Sequence, residues 1–178
     1  LQTRDFEQQM ATLARDVQWA EQTLRLNLQS DQEFLQELAR EVADEQIAGA
    51  RFQARTIQYL KTNPHLPNIA WVDAGGTIRY VAPFETGYWS VGDALGPNEQ
   101  AQGFTAARNS GHPVYGNAYI HERSGPSMEL FVPIHRGRKF IGALVAAYPV
   151  SGMLRHLVPA SFSEKYHLSF TGAGNLPL

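Results

Sequence analysis

The sequence contains no cysteine, which excludes disulfide cross-links, thiolate metal ligands, a cysteine nucleophile and thiol attachment of a flavin or bilin. It also lacks a charge excess of either sign. Its 15 Lys and Arg stand against 17 Asp and Glu, a formal net charge of −2, so no global field draws the chain to nucleic acid or to an anionic membrane. Long hydrophobic runs are missing as well. The most apolar stretch, Phe140 to Val150, is far shorter than the roughly 18–20 residues of a membrane span. There is no Gly-x-Ser-x-Gly elbow, no Gly-x-x-x-x-Gly-Lys phosphate loop, and no glycine-rich strand-to-helix turn in a parallel unit. His-x-x-x-His and His-Glu-x-x-His spacings, which set two metal ligands on one local surface, are also missing. These absences point away from an enzyme, a resident metal and a cofactor; only noncovalent heme through a His stays open.

What is present suffices for one domain with appendages: 178 residues, 43% hydrophobic. The chain opens on Leu1-Gln2 and closes on Gly-Asn-Leu-Pro-Leu, and so reads as a fragment with a membrane span or an output domain expected beyond an end. From Arg4 to Leu28 there is neither Gly nor Pro, and Phe6, Met10, Leu13, Val17, Ala20, Leu24 and Leu28 recur at three- and four-residue steps. That period predicts a long amphipathic helix. Ser30-Asp31-Gln32-Glu33 has the Ser-x-x-Glu form of a capping box, which predicts a second helix starting near Asp31. A second stripe, Phe34 to Leu60, carries the helical pattern to Lys61, with Gly49 as a soft point, until Asn63-Pro64-His65-Leu66-Pro67 stops it.

Beyond that linker the period changes from helix to strand. Ile69 to Val72 and Ile78 to Val81 are β-branched and aromatic, and Asp73-Ala74-Gly75-Gly76 between them supplies the glycines of a hairpin turn. Asn98 to Asn109 predicts a short helix closed by Ser110-Gly111. Three strands follow, Val114 to His121, Met128 to His135 and Phe140 to Tyr148, joined by turns short enough to make neighbours antiparallel. A short exit helix over Gly152 to Val158 completes the series. The expected fold is α+β: a long N-terminal helix or helices packed on a five-stranded antiparallel sheet. Residues 1–62 form the stalk and covering helices and 63–158 the sheet module; 159–178 supply an extra strand or the start of a second, truncated module.

The segments "IAWVDAGGTIRYV", "VGDALG", "SGHPVYGNAYI" and "ELFVPIHRGRKFIGALVAAYPVSGML", in that order after a long helix, resemble the extracytoplasmic PAS-like sensor domains known as PDC or Cache domains. The likeness covers Asp31 to Arg155 and lies in architecture and pattern, not in a catalytic signature. It implies a periplasmic ligand-sensing domain of a membrane-anchored receptor such as a sensor histidine kinase or diguanylate cyclase. The ligand would be a small molecule, a carboxylate or amino acid among others, held between the sheet and the loop and helix before the third strand. The signal would pass through the N-terminal helix.

Residues two apart in a strand share a face. This groups Tyr115, Asn117, Tyr119 and His121 in the third strand, Glu129, Phe131, Pro133 and His135 in the fourth, and Gly142, Leu144, Ala146 and Tyr148 in the fifth. The expected pocket takes Tyr115, Tyr119, Phe131 and Tyr148 from the sheet and is closed by Tyr80, Phe84, Trp89 and Arg108. Two readings of these aromatics compete, pocket wall and ordinary core; for Arg108 they are a fork onto a ligand carboxylate and a solvated helix end. His121-Glu122-Arg123 and His135 to Lys139 read as solvated hairpin ends. The narrow stripe from Phe6 to Leu28 predicts a parallel homodimer through the first helix. An alternative class of function is a dimerisation or protein-interaction module with no small-molecule ligand; a third is a cytoplasmic PAS or GAF-type domain with a bound cofactor.

Overall fold

A stretch without Gly or Pro whose apolar residues keep one face has no local reason to stop being helical. In the computed structural model, which describes residues 2–84 and 88–165, it forms a single helix, α1 (Gln2–Ala43). The break expected at Asp31 does not occur. Ser30 and Glu33 lie exposed in mid-helix, while Leu35, Leu38, Ala39 and Val42 continue the buried face. A capping box acts only where the backbone has already left the helix; here burial beyond it holds the backbone helical. The interruption falls instead at residues 44–48, where Glu45 takes a left-handed φ of 58°. Arg136 Nε donates to the Ala43 carbonyl at 2.8 Å and so satisfies one of the helix's last acceptors. The next helix, α2 (Gly49–Thr62), starts on a glycine for a steric reason. A Cβ at Gly49 would lie 2.1 Å from the Tyr80 ring.

The sheet follows the expected course. Strands β1 (Ile69–Asp73) and β2 (Ile78–Ala82) form the first hairpin. Asp73 organises its turn: Oδ1 accepts from the Gly75 and Thr77 N–H groups at 2.9 and 3.0 Å, and Oδ2 accepts from Arg79 Nε at 2.6 Å. Burial alone would raise the Asp73 pKa, but these bonds hold it below the ordinary value. Then come α3 (Glu99–Ser110), β3 (Val114–Tyr115), β4 (Tyr119–His121), β5 (Gly125–Arg136) and β6 (Lys139–Pro149). The antiparallel order is β2-β1-β6-β5-β3, with β4 pairing farther along the same edge of β5. β3 and β4 are thus two pieces of the strand expected over Val114 to His121. The helices α4 (Val150–Leu157) and α5 (Ala160–Lys165) close the described chain. Of residues 159–178, expected to supply an extra strand or the start of a second module, 160–165 form α5 and 166–178 lie outside the described residues.

The interruption between β3 and β4 reverses a side chain. Tyr115 pairs with Leu130, Gly116 N–H donates to the Glu129 carbonyl at 2.8 Å, and Tyr119 pairs with Ser127. Between Gly116 and Tyr119 this edge therefore advances three residues while β5 advances two. One extra residue changes parity, so Tyr115 and Tyr119 emerge on opposite faces.

Each face of the sheet carries its own core. On one, Ile69, Leu130, Val132, Ile134, Leu144, Ala146 and Tyr148 pack against Leu35, Leu38 and Val42 of α1, Phe52 and Leu60 of α2, and Met153 of α4. On the other, Ala70, Val72, Ile78, Val81, Phe131, Ala143, Val145 and Ala147 meet Trp89 and Phe104 and Ala107 of α3. Fully burying one Leu, Ile or Phe side chain contributes about 1.5–3 kcal/mol, enough to override a single local signal such as Ser30 to Glu33. The second core sets the depth at which α3 sits: a Cβ at Gly103 would come within 2.2 Å of the Phe131 ring.

Candidate functional site

The segment before α3 is irregular but anchored. Ile78 N–H donates to the Asp93 carbonyl at 2.9 Å, Gly92 N–H to the Ile78 carbonyl at 2.8 Å, and Leu95 N–H to the Gly76 carbonyl at 3.0 Å. Residues 92–95 therefore run along β2, and a cavity of about 790 Å³ opens between this segment, the start of α3 and β4. Its walls include Ile78, Tyr88, Trp89, Gln100, Tyr119 and His121, with Asp93, Glu99, Glu122 and Arg123 among its charged members. Tyr88 stacks on His121 with ring centres 4.2 Å apart and planes 6° from parallel, and meets Trp89 edge to face at 5.0 Å. Trp89 is only 8% exposed, and its Nε1 has no hydrogen-bond partner; the half-buried Tyr88 hydroxyl faces the Ser127, Tyr119 and Ser124 hydroxyls. Leaving a buried donor unpaired costs about 1–3 kcal/mol, so the Trp89 N–H is an uncompensated donor in the wall beside the cavity.

Behind this wall lies a buried acid. Glu129, 1% exposed, accepts on Oε1 from the Tyr119 hydroxyl and from Gln100 Nε2, the latter at 2.7 Å. Gln100 Nε2 also donates to the Tyr119 hydroxyl at 3.0 Å, and Gln100 Oε1 accepts from Gly96 N–H at 2.7 Å. One carboxylate thus ties α3, the preceding loop and β4 together. Burial raises the Glu129 pKa against the opposing effect of these two donors. Burial raises the Tyr119 pKa too, reinforced by the bond to Glu129.

A second buried carboxylate occupies the opposite face. Asp31 of α1, 1% exposed, accepts from the Tyr59 hydroxyl at 2.7 Å and the Tyr148 hydroxyl at 2.8 Å, and His65 Nε2 lies 2.6 Å from Oδ2. A carboxylate only accepts, so His65 carries its proton on that nitrogen. Burial first, and Asp31 next, raise the pKa values of Tyr59 and Tyr148. Among the described residues no three His, Asp or Glu side chains are grouped to hold a metal ion, and no helix is long and apolar enough to cross a membrane.

The eight residues expected in one pocket separate. Trp89 and Tyr119 line the cavity, and Phe131 lies in the core beneath α3 on the same face. Tyr80, Tyr115 and Tyr148 belong to the opposite face. Tyr80 rests on Gly49, Tyr115 donates to the Leu28 carbonyl at 3.4 Å, and Tyr148 bonds to Asp31. Phe84 is 68% exposed and Arg108 is exposed; neither lines the cavity. The physical cause is register. Alternation groups residues within a strand, but Phe131 pairs with Val145 and Tyr148 with Met128, so Phe131 and Tyr148 share no face. His121, Glu122 and Arg123, expected as a solvated hairpin end, border the cavity; Glu122 and Arg123 are exposed and His121 is half-buried. The residues that sequence reasoning missed, Tyr88, Gln100 and Glu129, left one usable sign: Glu129 interrupts the apolar run Met128 to Val132 on a face otherwise destined for the core.

No family model matches the chain. The C4-dicarboxylate transport sensor protein DctS of Rhodobacter capsulatus is 30% identical over 173 residues, covering 91% of this chain and 22% of that protein. Among solved structures, the ligand-binding domain of the Campylobacter jejuni chemoreceptor Tlp3 in complex with 4-methylisoleucine superposes with a TM-score of 0.63 at 12% identity, over 84% of this chain and 62% of that one. The ligand-binding domain of the Pseudomonas aeruginosa PAO1 amino acid chemoreceptor PctB with L-Gln gives a TM-score of 0.58 at 14% identity, over 80% and 56%. The chain therefore spans about a fifth of the curated relative and roughly three fifths of these two structures.

Proposed function

We propose, for a chain that has the PAS-like fold of the PDC and Cache sensor domains, that it is the extracytoplasmic ligand-sensing part of a membrane-anchored signalling receptor. It binds a small molecule in the cavity between residues 88–99 and β4, and it is not itself catalytic. The observation that carries this reading is Trp89: a buried indole N–H without an acceptor, on a residue that lines a cavity large enough for a metabolite. The curated relative is a sensor protein by name, and the superposed chemoreceptor domains hold amino acids; carboxylates and amino acids are thus the first compounds to test.

Transmission runs from the site to α1 across the sheet. Gly116 and Ala147 flank Glu129 on the two neighbouring strands, one by a backbone hydrogen bond and one by register. The next residues, Tyr115 and Tyr148, bond to Leu28 and Asp31 of α1. A ligand that moves Glu129 relative to these strands bears on one helical turn of α1, and shifts its equilibrium by the difference in its affinity for the two positions. Beyond that turn Phe6, Met10 and Val17, four and seven residues apart on one face, are exposed, a stripe suited to pairing with a second copy in parallel. Residues 1–62 supply stalk and cover and 63–158 the sheet module.

Calorimetric titration with organic acids, amino acids and amines tests the site. We expect saturable binding that Trp89→Phe weakens at least fivefold and Arg108→Ala leaves within twofold. Binding lost in Arg108→Ala but kept in Trp89→Phe would remove the cavity as the site.

A further inference from the structure

Glu129 sits behind the cavity wall with its charge unanswered. It is 1% exposed, and among the described residues its side-chain bonds come from two neutral donors, the Tyr119 hydroxyl and Gln100 Nε2. Both donors belong to residues that line the cavity. The titratable groups around it bring no cation: α3 supplies Glu99, whose charge opposes ionisation, β4 supplies Tyr119, and the segment before α3 supplies Tyr88. His121 lies one ring farther out, stacked on Tyr88, and the flanking Gly116 and Ala147 add no charge. Burial, helped by Glu99, holds the Glu129 pKa above its ordinary value against the two donors.

The two protonation states present opposite hydrogen-bonding faces. An ionised carboxylate only accepts, so it commits the Tyr119 proton and a Gln100 N–H to the core. A protonated carboxyl also donates, and the Tyr119 oxygen, already within bonding distance, is the acceptor at hand. The phenolic proton then turns toward the Tyr88 hydroxyl and the cavity that both rings line. We propose that Glu129 is a proton-operated switch in the cavity wall, which withdraws the Tyr119 hydroxyl as a donor when ionised and releases it when protonated. One proton is taken up from solvent, and only hydrogen bonds are exchanged. Its bearing on sensing rests on the cavity being the ligand site: a ligand that offers Tyr119 an acceptor binds together with a proton, and more tightly as pH falls.

Carbon-13 NMR of the free 178-residue chain, labelled at Tyr Cζ and Glu Cδ, tests this without a ligand; Tyr119→Phe assigns the tyrosine signal. The expected result is that Glu129 Cδ and Tyr119 Cζ titrate with one shared midpoint above 4.5. In mixed H2O and D2O the Tyr119 hydroxyl exchanges at least tenfold faster below that midpoint than above it. Glu129→Gln, which keeps an acceptor for Tyr119, abolishes the step, and Glu99→Gln moves the midpoint down. A Tyr119 signal without a step between about pH 4 and 8, or a step retained in Glu129→Gln, overturns the inference. Equal exchange on both sides of the midpoint overturns it too, because the hydroxyl would then never leave the carboxyl. Ligand binding is read separately by calorimetry: no binding there with the Tyr119 step intact would remove the sensing site and leave the switch.

Discussion

The Tyr148 hydroxyl donates a 2.8 Å hydrogen bond to the Asp31 carboxylate, joining β6 to α1 in the core. Tyr59 and His65 supply the carboxylate's other partners. Tyr148→Phe removes one donor and should cost about 1–2 kcal/mol of stability; Asp31→Ala leaves every partner unpaired and should cost more than about 3 kcal/mol. Urea unfolding followed by circular dichroism reads both. An Asp31→Ala chain within about 1 kcal/mol of wild type would show that the network does not hold the helix.

Gly103 lets α3 lie against Phe131. Gly103→Ala should overpack this contact and destabilise by about 1–3 kcal/mol, a loss that exceeds what alanine regains in helix propensity. Adding Phe131→Leu should give back part of that loss, so the double mutant is less destabilised than the sum of the singles. Strict additivity would mean that the two side chains do not compete for the same space.

Burial raises the pKa of Glu129 in the folded chain above its ordinary value of 4.5. The folded state therefore holds this proton more strongly than the unfolded state does. The corresponding stability is fully present below about 4.5 and is lost as pH rises through the higher folded value. Glu129→Gln carries no such titration, and its amide oxygen can still accept from Tyr119. Its melting temperature relative to wild type should climb as pH rises through that window. A difference that is flat with pH would contradict a desolvated acid at this position.

Ser30 separates two accounts of α1. As an N-cap it would cost about 1 kcal/mol to replace with Ala. Exposed in mid-helix, as observed, Ser30→Ala should be neutral or should stabilise by up to about 0.5 kcal/mol. Denaturant titration distinguishes the sign.

The parts of the fold set by local chemistry were legible in the sequence. Asp73 to Gly76 reads as a hairpin because an Asx-type turn and a positive-φ glycine are properties of four residues. Antiparallel order follows from turns too short for a crossover. What stayed hidden depends on distant partners. The continuity of α1 past Ser30 is decided by Leu35, Leu38 and Val42 meeting a sheet that begins 30 or so residues later. Asp31 follows Leu24 and Leu28 and precedes Leu35 and Leu38 at helical spacing, a carboxylate in register with an apolar stripe. That placement signals a buried partner more than a cap. The cavity was half legible: Trp89 and Tyr119 were expected there, but the one extra residue between β3 and β4 moved Tyr115 away, and no periodicity within a strand reveals an insertion relative to its neighbour.

The length of α1 sets a mechanical ratio. Gln2 and Asp31 belong to the same unbroken helix, and at 1.5 Å per residue they lie roughly 43 Å apart along its axis. With Asp31 as the fulcrum, a tilt of about 5° displaces the Gln2 end by about 4 Å, most of the 5.4 Å pitch of one helical turn. Motion at the sheet too slight to break a hydrogen bond arrives at the far end magnified to the scale of a side chain.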